Sequence, residues 1–391
     1  MYPTHSLLVL PMKKKLCFVA TLDLSVKVFL TLHMRLLQDE YDLRVIVNTE
    51  NPRFLEPFNI RAEIIPLRIE RSISPLNDLK SLIELFGIFR REKFNIVHSI
   101  MPKSGLLSMM AGLFARIPVR IHTFTGQVWK NDTGLKRTVF KYADKVIAGC
   151  ATRILVDSPS QREFIIGEGI VSRKKSSVIG SGSMCGVDME RFSFDGRVRN
   201  EIRNEYGIAD NDIVFFYLGR VKKDKGILDL ARAFSALKKR FPNVRLFIAG
   251  PDEENILDEV MEICAGCSDR VHIVGFVDTP EKYLSAADVF CLPSYREGFG
   301  LVIAEAAAIG IPSIGSRIYG ITDIIVDGET GYLFESGAHH DLMQKMIRFV
   351  EEPSLIKMMG EKARLNVLDK FTKEKITSAM INYYKGLERL L

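Results

Sequence analysis

Along the chain, short runs of apolar, largely β-branched residues alternate with stretches in which apolar positions recur every three or four residues. The runs are Leu16–Ala20, Leu43–Val47, Phe94–Val97, Val119–Thr123, Lys145–Ala148 and Arg153–Val156, and then Ile213–Leu218, Val244–Ala249, Val271–Val274 and Val289–Leu292. Unbroken apolar runs describe strands buried on both faces, and their alternation with helical patterns predicts parallel sheets covered by helices. The series pauses between Arg191 and Asp212, where apolar density falls through the polar helical stretch Val198–Tyr206. That pause predicts a junction between two doubly wound α/β domains. Residues 12–192 form the first and residues 193–371 the second, with 372–391 a helix expected to return to the first domain on its stripe Ile376, Met380, Ile381, Tyr384 and Leu387. Residues 1–11 read as a loose tail. The cations Lys13, Lys14 and Lys15 follow its apolar run instead of leading it, the wrong order for a secretory signal.

A length of 391 residues, 47% of them hydrophobic, suits two globular cores. The net charge of +6 conceals an asymmetry, because residues 1–190 carry 27 Lys/Arg against 18 Asp/Glu while the remainder carries 27 against 30. A basic first half suits an anionic membrane surface or a phosphorylated substrate; no nucleic-acid module appears, so nucleic acid is not an expected partner. The uncharged run Ser104–Ala115, of 12 residues, is shorter than the ~20 needed to span a bilayer and reads as a core or interfacial helix. Six scattered cysteines predict reduced packing thiols in a cytosolic protein. Cys264-Ala-Gly-Cys267 has no second pair and no histidine at ligand spacing to make a zinc site of it.

Two segments carry candidate chemistry, both at strand ends, where open α/β sheets bind their ligands. After Ile213–Leu218 stands Gly219-Arg220-Val-Lys-Lys-Asp-Lys225-Gly226, a cluster of cations just ahead of the amphipathic helix Ile227–Arg240. Cations oppose the dipole at a helix start, so the cluster reads either as a solvated turn or as a diphosphate clamp formed by Arg220 and Lys225. After Val289–Leu292 comes Glu297-Gly-Phe-Gly-Leu-Val-Ile-Ala-Glu305, with a helix beginning near Gly300. Backbone N–H groups of Gly300 and Leu301 suit a phosphate. Glu305, an acid in an apolar helix, implies a polar ligand, because a buried unpaired charge is costly. A ligand with sugar, diphosphate and nucleoside in series matches: Glu297 on sugar hydroxyls, the helix tip on phosphate, Glu305 on the ribose. Asp210-Asn-Asp212 spells a metal-binding triplet but precedes its strand, and reads as a turn.

These segments, together with Asp327-Gly-Glu-Thr-Gly-Tyr-Leu-Phe334, resemble the retaining glycosyltransferases of family 4, over nearly the whole chain from Met12. His98-Ser-Ile-Met-Pro-Lys103-Ser-Gly105 and Gly186-Val-Asp188-Met-Glu-Arg-Phe192 are similar to bacterial capsule and O-antigen transferases. The resemblance implies the GT-B fold, two Rossmann-like domains facing a central cleft. It also implies a nucleotide-sugar donor, UDP-linked as in a UDP-N-acetylhexosamine, and a polyprenyl-diphosphate-linked glycan acceptor, with the enzyme peripheral on the inner face of the cytoplasmic membrane. Arg220 and Lys225 would neutralise the leaving diphosphate, so that neither metal nor cofactor is required, and Glu297 would join them in catalysis. Gly219, Phe299, Gly300, Leu301, Glu305 and Gly126 complete the implied donor set. Retention would follow a same-face route, since no first-domain carboxylate presents itself as a nucleophile. The family often has a histidine before the glycine where this chain has Thr125-Gly126; His122, three residues earlier, is either a substitute catalytic group or a structural strand histidine. His98 and Lys103 are candidates for acceptor phosphate, or for a capped turn. Ser160 reads as a helix cap, and Asp323 as a carboxylate where the family has a glutamate. An epimerase on the same fold and a non-catalytic scaffold of a glycan assembly complex are the alternatives.

Overall fold

The computed structural model describes residues 13–387 and 389; the tail expected at residues 1–11 lies outside them. One sheet has seven strands, β1 (Lys14–Ala20), β2 (Tyr41–Val47), β3 (Ala62–Pro66), β4 (Ile96–Ile100), β5 (Val119–Phe124), β6 (Arg153–Val156) and β7 (Ser176–Val178), in the order β3-β2-β1-β4-β5-β6-β7. The other has six, β8 (Ile213–Leu218), β9 (Val244–Ala249), β10 (Val271–Gly275), β11 (Val289–Leu292), β12 (Ser313–Ser316) and β13 (Gly331–Phe334), in the order β10-β9-β8-β11-β12-β13. The second sheet pairs in parallel throughout, with Phe216 opposite Phe290 where β8 meets β11. Both sheets are doubly wound as expected, and the strand order reverses at β1/β4 and at β8/β11.

By compactness the chain divides into two units. One comprises the residues up to Thr123, Ala143–Ile154 and the residues from Ile381; the other comprises Phe124–Tyr142 and Leu155–Met380. In the first unit the helix Lys373–Leu387 contributes Tyr384, whose ring packs on Phe18 and Tyr41 and whose hydroxyl bonds His98 Nδ1. In the second, Phe215, Phe216, Phe234, Phe290 and Ile314 are fully buried and join both faces of the sheet to its helices.

The run Lys145–Ala148, expected as a strand, lies inside the helix Gly134–Cys150. Asp144, Ile147 and Ala148, three and four residues apart, are buried while Tyr142 and Lys145 are exposed, so a helical period extends through the run. Ser104–Ala115 sits almost wholly in the helix Pro102–Phe114, whose Gly105, Leu107, Met109 and Ala111 are buried, a core helix with Leu113 and Phe114 exposed at its end. All six cysteines are free thiols.

Candidate active site

The loops that follow β8 and β11 belong to adjacent strands at the point where the sheet reverses, and they are stitched together. Gly226 takes a left-handed conformation (φ 70°), and a Cβ there would stand 2.0 Å from the carbonyl oxygen of Pro293. Only glycine lets the two backbones approach so closely. Tyr295 N–H donates to the Asp224 carbonyl at 3.0 Å, and Arg296 pairs with the Asp224 carboxylate at 3.1 Å. Lys225 Nζ then meets Glu297 Oε1 at 2.6 Å, with both side chains largely sheltered, and Ser294 Oγ donates to the same oxygen at 2.8 Å. A charge-assisted contact in reduced water is of the stronger kind. It fixes the ammonium and the carboxylate as one unit.

Arg220, at the other end of the first loop, pairs with Glu253 at 3.1 Å, and Lys222 lies 3.8 Å from Glu253 and 3.5 Å from Glu254. Tyr217 Oη donates to the Arg220 carbonyl at 2.7 Å, which holds the bend of the chain out of β8. The cations are thus compensated by Glu253 and Glu254. Sequence reasoning overlooked these two acids, because they sit after a different strand, and only the sheet order makes β9 a neighbour of β8.

The helix Leu301–Ile309 starts at Gly300, itself left-handed at φ 69°, and no side chain caps its first turn. Phe299 is buried, its ring edge-on to Phe371 at 5.1 Å. Glu305 is half-buried about one turn in, and no hydrogen bond from a described residue contributes to its titration. Burial pushes its carboxyl up to about 8, against a smaller opposing pull from Arg191 and a further push from Glu281. An acid left unsatisfied on an apolar helix is a ready acceptor or donor for a polar ligand.

The turn at Gly298 is enclosed by backbone. A Cβ on Gly298 would stand 2.7 Å from Asp157 Oδ2 and 2.8 Å from the Thr125 carbonyl, while one on Gly320 would stand 2.7 Å from the Gly298 carbonyl oxygen. Gly126, at φ 105°, lies against the same turn, with Gly298 N 3.4 Å from the place of its Cβ. Three glycines therefore pack Thr125-Gly126, the Glu297 turn and the Gly320 loop together, all within the second unit.

Other expectations resolve differently. His122 is fully buried, accepts or donates to Ser99 Oγ through Nδ1 at 2.9 Å, and leaves no room for a side chain at Gly105, whose Cβ would stand 2.3 Å from its ring. Burial drives it down to about 3. The catalytic reading of His122 is corrected accordingly: a neutral ring wedged between β5 and a helix is a packing residue. His98 is likewise fully enclosed, bonded by Nε2 to Thr123 Oγ1 at 2.7 Å and held down to about 3 by burial, so it presents nothing to an acceptor phosphate. Lys103 is taken by Asp78 at 2.6 Å and by the Ser72 carbonyl. The cap of helix Pro159–Gly167 is Ser158, which accepts from Gln161 N, and not Ser160. Ser160 instead bonds Asp323, which also accepts from Gly320 N at 3.2 Å, so that carboxylate holds a loop. Asp212 bonds Arg245 at 2.9 Å beneath β8, which confirms a structural turn at the Asp-Asn-Asp triplet.

Comparison with known proteins supplies the context. The family description "Glycosyl transferase 4-like domain" matches residues 26–182, and "Glycosyl transferases group 1" matches residues 198–366. The chain is 32% identical over 341 residues to the capsular polysaccharide biosynthesis glycosyltransferase CapM of Staphylococcus aureus, covering 87% of this chain and 88% of that one. It is 28% identical to the UDP-Gal:alpha-D-GlcNAc-diphosphoundecaprenol alpha-1,3-galactosyltransferase of Escherichia coli, covering 85% and 86%. Among solved structures, Anabaena HepE in complex with UDP-glucose superposes with a TM-score of 0.80 at 17% identity, covering 95% of this chain and all of that one. Sucrose-phosphate synthase of Thermosynechococcus elongatus gives 0.79 at 21%, covering 97% and 100%. With two doubly wound sheets, two matching family descriptions and a relative at this identity over most of both chains, the protein belongs to the family 4 glycosyltransferases of GT-B fold.

Proposed function

We propose that the protein transfers a sugar, with retention of anomeric configuration, from a UDP-linked donor such as a UDP-N-acetylhexosamine to a polyprenyl-diphosphate-linked glycan in capsule or O-antigen synthesis. The observation that carries the reading is the Lys225–Glu297 contact at the reversal of the second sheet. It sets a cation and an acid side by side, one for a departing phosphate and one for sugar hydroxyls. Arg220 leaves Glu253 for the diphosphate, and the first turn of helix Leu301–Ile309 adds its N–H groups. The two cations supply the electrostatic stabilisation a metal ion would otherwise give the leaving group. Glu305 takes the ribose, where a carboxyl that is largely neutral at pH 7 both donates to and accepts from a diol. The acceptor, being lipid-linked in the E. coli relative named above, brings the enzyme to an anionic membrane surface.

No helix among the described residues is long and apolar enough to cross a membrane. Support for surface contact comes from the helix Pro75–Glu92, where Leu76, Leu79, Ile83 and Phe86 form an exposed stripe at helical spacing with Arg90 and Arg91 at its end. Incubation with UDP-, GDP- and dTDP-sugars and polyprenyl-diphosphate glycans, with products read by mass, tests the proposal. A product heavier by one N-acetylhexosamine or hexose and released UDP are expected; free sugar alone, or an interconverted donor, would contradict it.

A further inference from the structure

Asp157 immediately follows β6 and lies against the Gly298 turn, both within the second unit. It keeps only 8% of its surface exposed. Its backbone is fully used, N–H to Gln161 Oε1 at 3.0 Å and carbonyl to Ser183 N at 2.7 Å. Its side chain is not: Oδ1 is buried and takes no hydrogen bond, and Oδ2 occupies the space a Cβ on Gly298 would need, 2.7 Å away. A buried polar oxygen without a partner costs on the order of a lost hydrogen bond or more, so a fold tolerates one where something else completes it. Burial pushes the carboxyl up to about 8, which leaves it a neutral group able to donate and accept at pH 7. No charged group contributes to that rise: the Cys185 thiol feels both Asp157 and Glu305, and the Glu297 carboxylate on the adjoining turn is already held by Lys225 and Ser294. None of these donates to it.

We propose that Asp157 is a sugar-binding residue, whose side chain hydrogen-bonds a hydroxyl of a saccharide seated against the Glu297–Gly298 turn. Vicinal hydroxyls present a donor and an acceptor together, which matches the two oxygens of an uncharged carboxyl. The glycine at 298 is what permits the strand end to reach so near the acid that the proposed function assigns to the sugar. The inference rests on that function, and the hydroxyl belongs either to the donor sugar or to the terminal sugar of the acceptor.

The test compares Asp157→Leu, which keeps the branched shape and removes both oxygens, with Asp157→Asn, which keeps a donor and an acceptor. KM and kcat are measured for donor and acceptor separately, and the affinity for the donor's nucleoside diphosphate, which lacks the sugar, by calorimetry. Asp157→Leu is expected to raise one sugar KM by about 10- to 100-fold with nucleoside diphosphate affinity unchanged, and Asp157→Asn to stay within about threefold of the wild type. A rise in donor KM assigns the hydroxyl to the donor and a rise in acceptor KM to the acceptor. Unchanged KM values in Asp157→Leu, or a loss of nucleoside diphosphate affinity in step with the sugar KM, overturn the inference. Should Asp157→Leu fail to fold, Asp157→Ser, too short to span the gap, carries the same comparison. A wild-type chain that neither binds nor transfers any nucleotide-sugar defeats the parent function instead, and is recognised by that.

Discussion

Lys225 Nζ stands 2.6 Å from Glu297 Oε1, joining two loops that are 72 residues apart in sequence and adjacent in the sheet. Replacing Lys225 by Ala leaves Glu297 with Ser294 alone and, on the proposed function, removes a cation from the leaving group. A fall in kcat of about 100- to 1,000-fold is expected, the scale of losing one preorganised electrostatic contact. Steady-state transfer assays check it. Glu297→Gln should cost less in combination with Lys225→Ala than alone, because contacting residues are not additive.

Arg220 is held by Glu253 at 3.1 Å, a partly exposed pair worth little in itself. Glu253→Gln is therefore expected to leave the melting temperature nearly unchanged and to lower the donor KM a few-fold, since Arg220 then meets the diphosphate without first leaving a partner. Arg220→Ala should reduce kcat. A donor KM that rises in Glu253→Gln would place Glu253, and not the phosphate, as the lasting partner of Arg220.

Stability should fall as pH rises from about 6.5 to about 8. Asp157 and Glu305 have folded values near 8, raised mainly by burial from ordinary values of 3.8 and 4.5, so in this window the folded chain holds protons the unfolded chain has lost. Unfolded proton loss then favours unfolding. His98 and His122 act in the opposite sense, but only between their ordinary value of 6.5 and about 3, and add nothing above it. Denaturant titrations at pH 6.5 and 8.5 should differ by on the order of 1–2 kcal/mol per acid, and Glu305→Gln should flatten the difference.

Gly298→Ala places a methyl against the Thr125 carbonyl at 2.8 Å and Asp157 Oδ2 at 2.7 Å. Backbone cannot swing away as a side chain can, so the Glu297 turn must move. A stability loss of about 1–3 kcal/mol is expected, the scale of overpacking, with kcat falling more steeply than the melting temperature suggests. Thermal melts and transfer rates on one preparation check it.

Leu79→Glu with Ile83→Glu on the exposed stripe of helix Pro75–Glu92 should abolish flotation with anionic vesicles and leave transfer to a water-soluble acceptor analogue unchanged. Flotation that persists would move membrane contact to another face.

Much of this was legible in the sequence. Strands such as Ile213–Leu218 and Val289–Leu292 are unbroken apolar runs, and the local period alone fixes them. Strands β12 (Ser313-Ile-Gly-Ser316) and β13, which opens on Gly331, escape the same reading because small and polar residues fill them and neighbouring strands supply their order. The loops carrying Lys225 and Glu297 were legible because charge next to glycine at a strand end has few structural uses. His98 and His122 were not, since a histidine inside a strand looks the same in sequence whether its ring faces a cleft or a helix; Gly105, which makes room for His122, lies 17 residues earlier. Glu253 was hidden for a related reason, meeting the site only through strand order, and Asp157 because it follows a strand of the other sheet and meets the Gly298 turn only by tertiary packing.

The most direct test of the central claim is calorimetric titration of the wild type and of Lys225→Ala with UDP-sugars. The wild type should bind one molecule per chain, and the variant should bind at least about tenfold more weakly. Equal affinity in the two proteins, or no binding by the wild type to any nucleotide-sugar, would contradict a diphosphate held at the joined loops of β8 and β11.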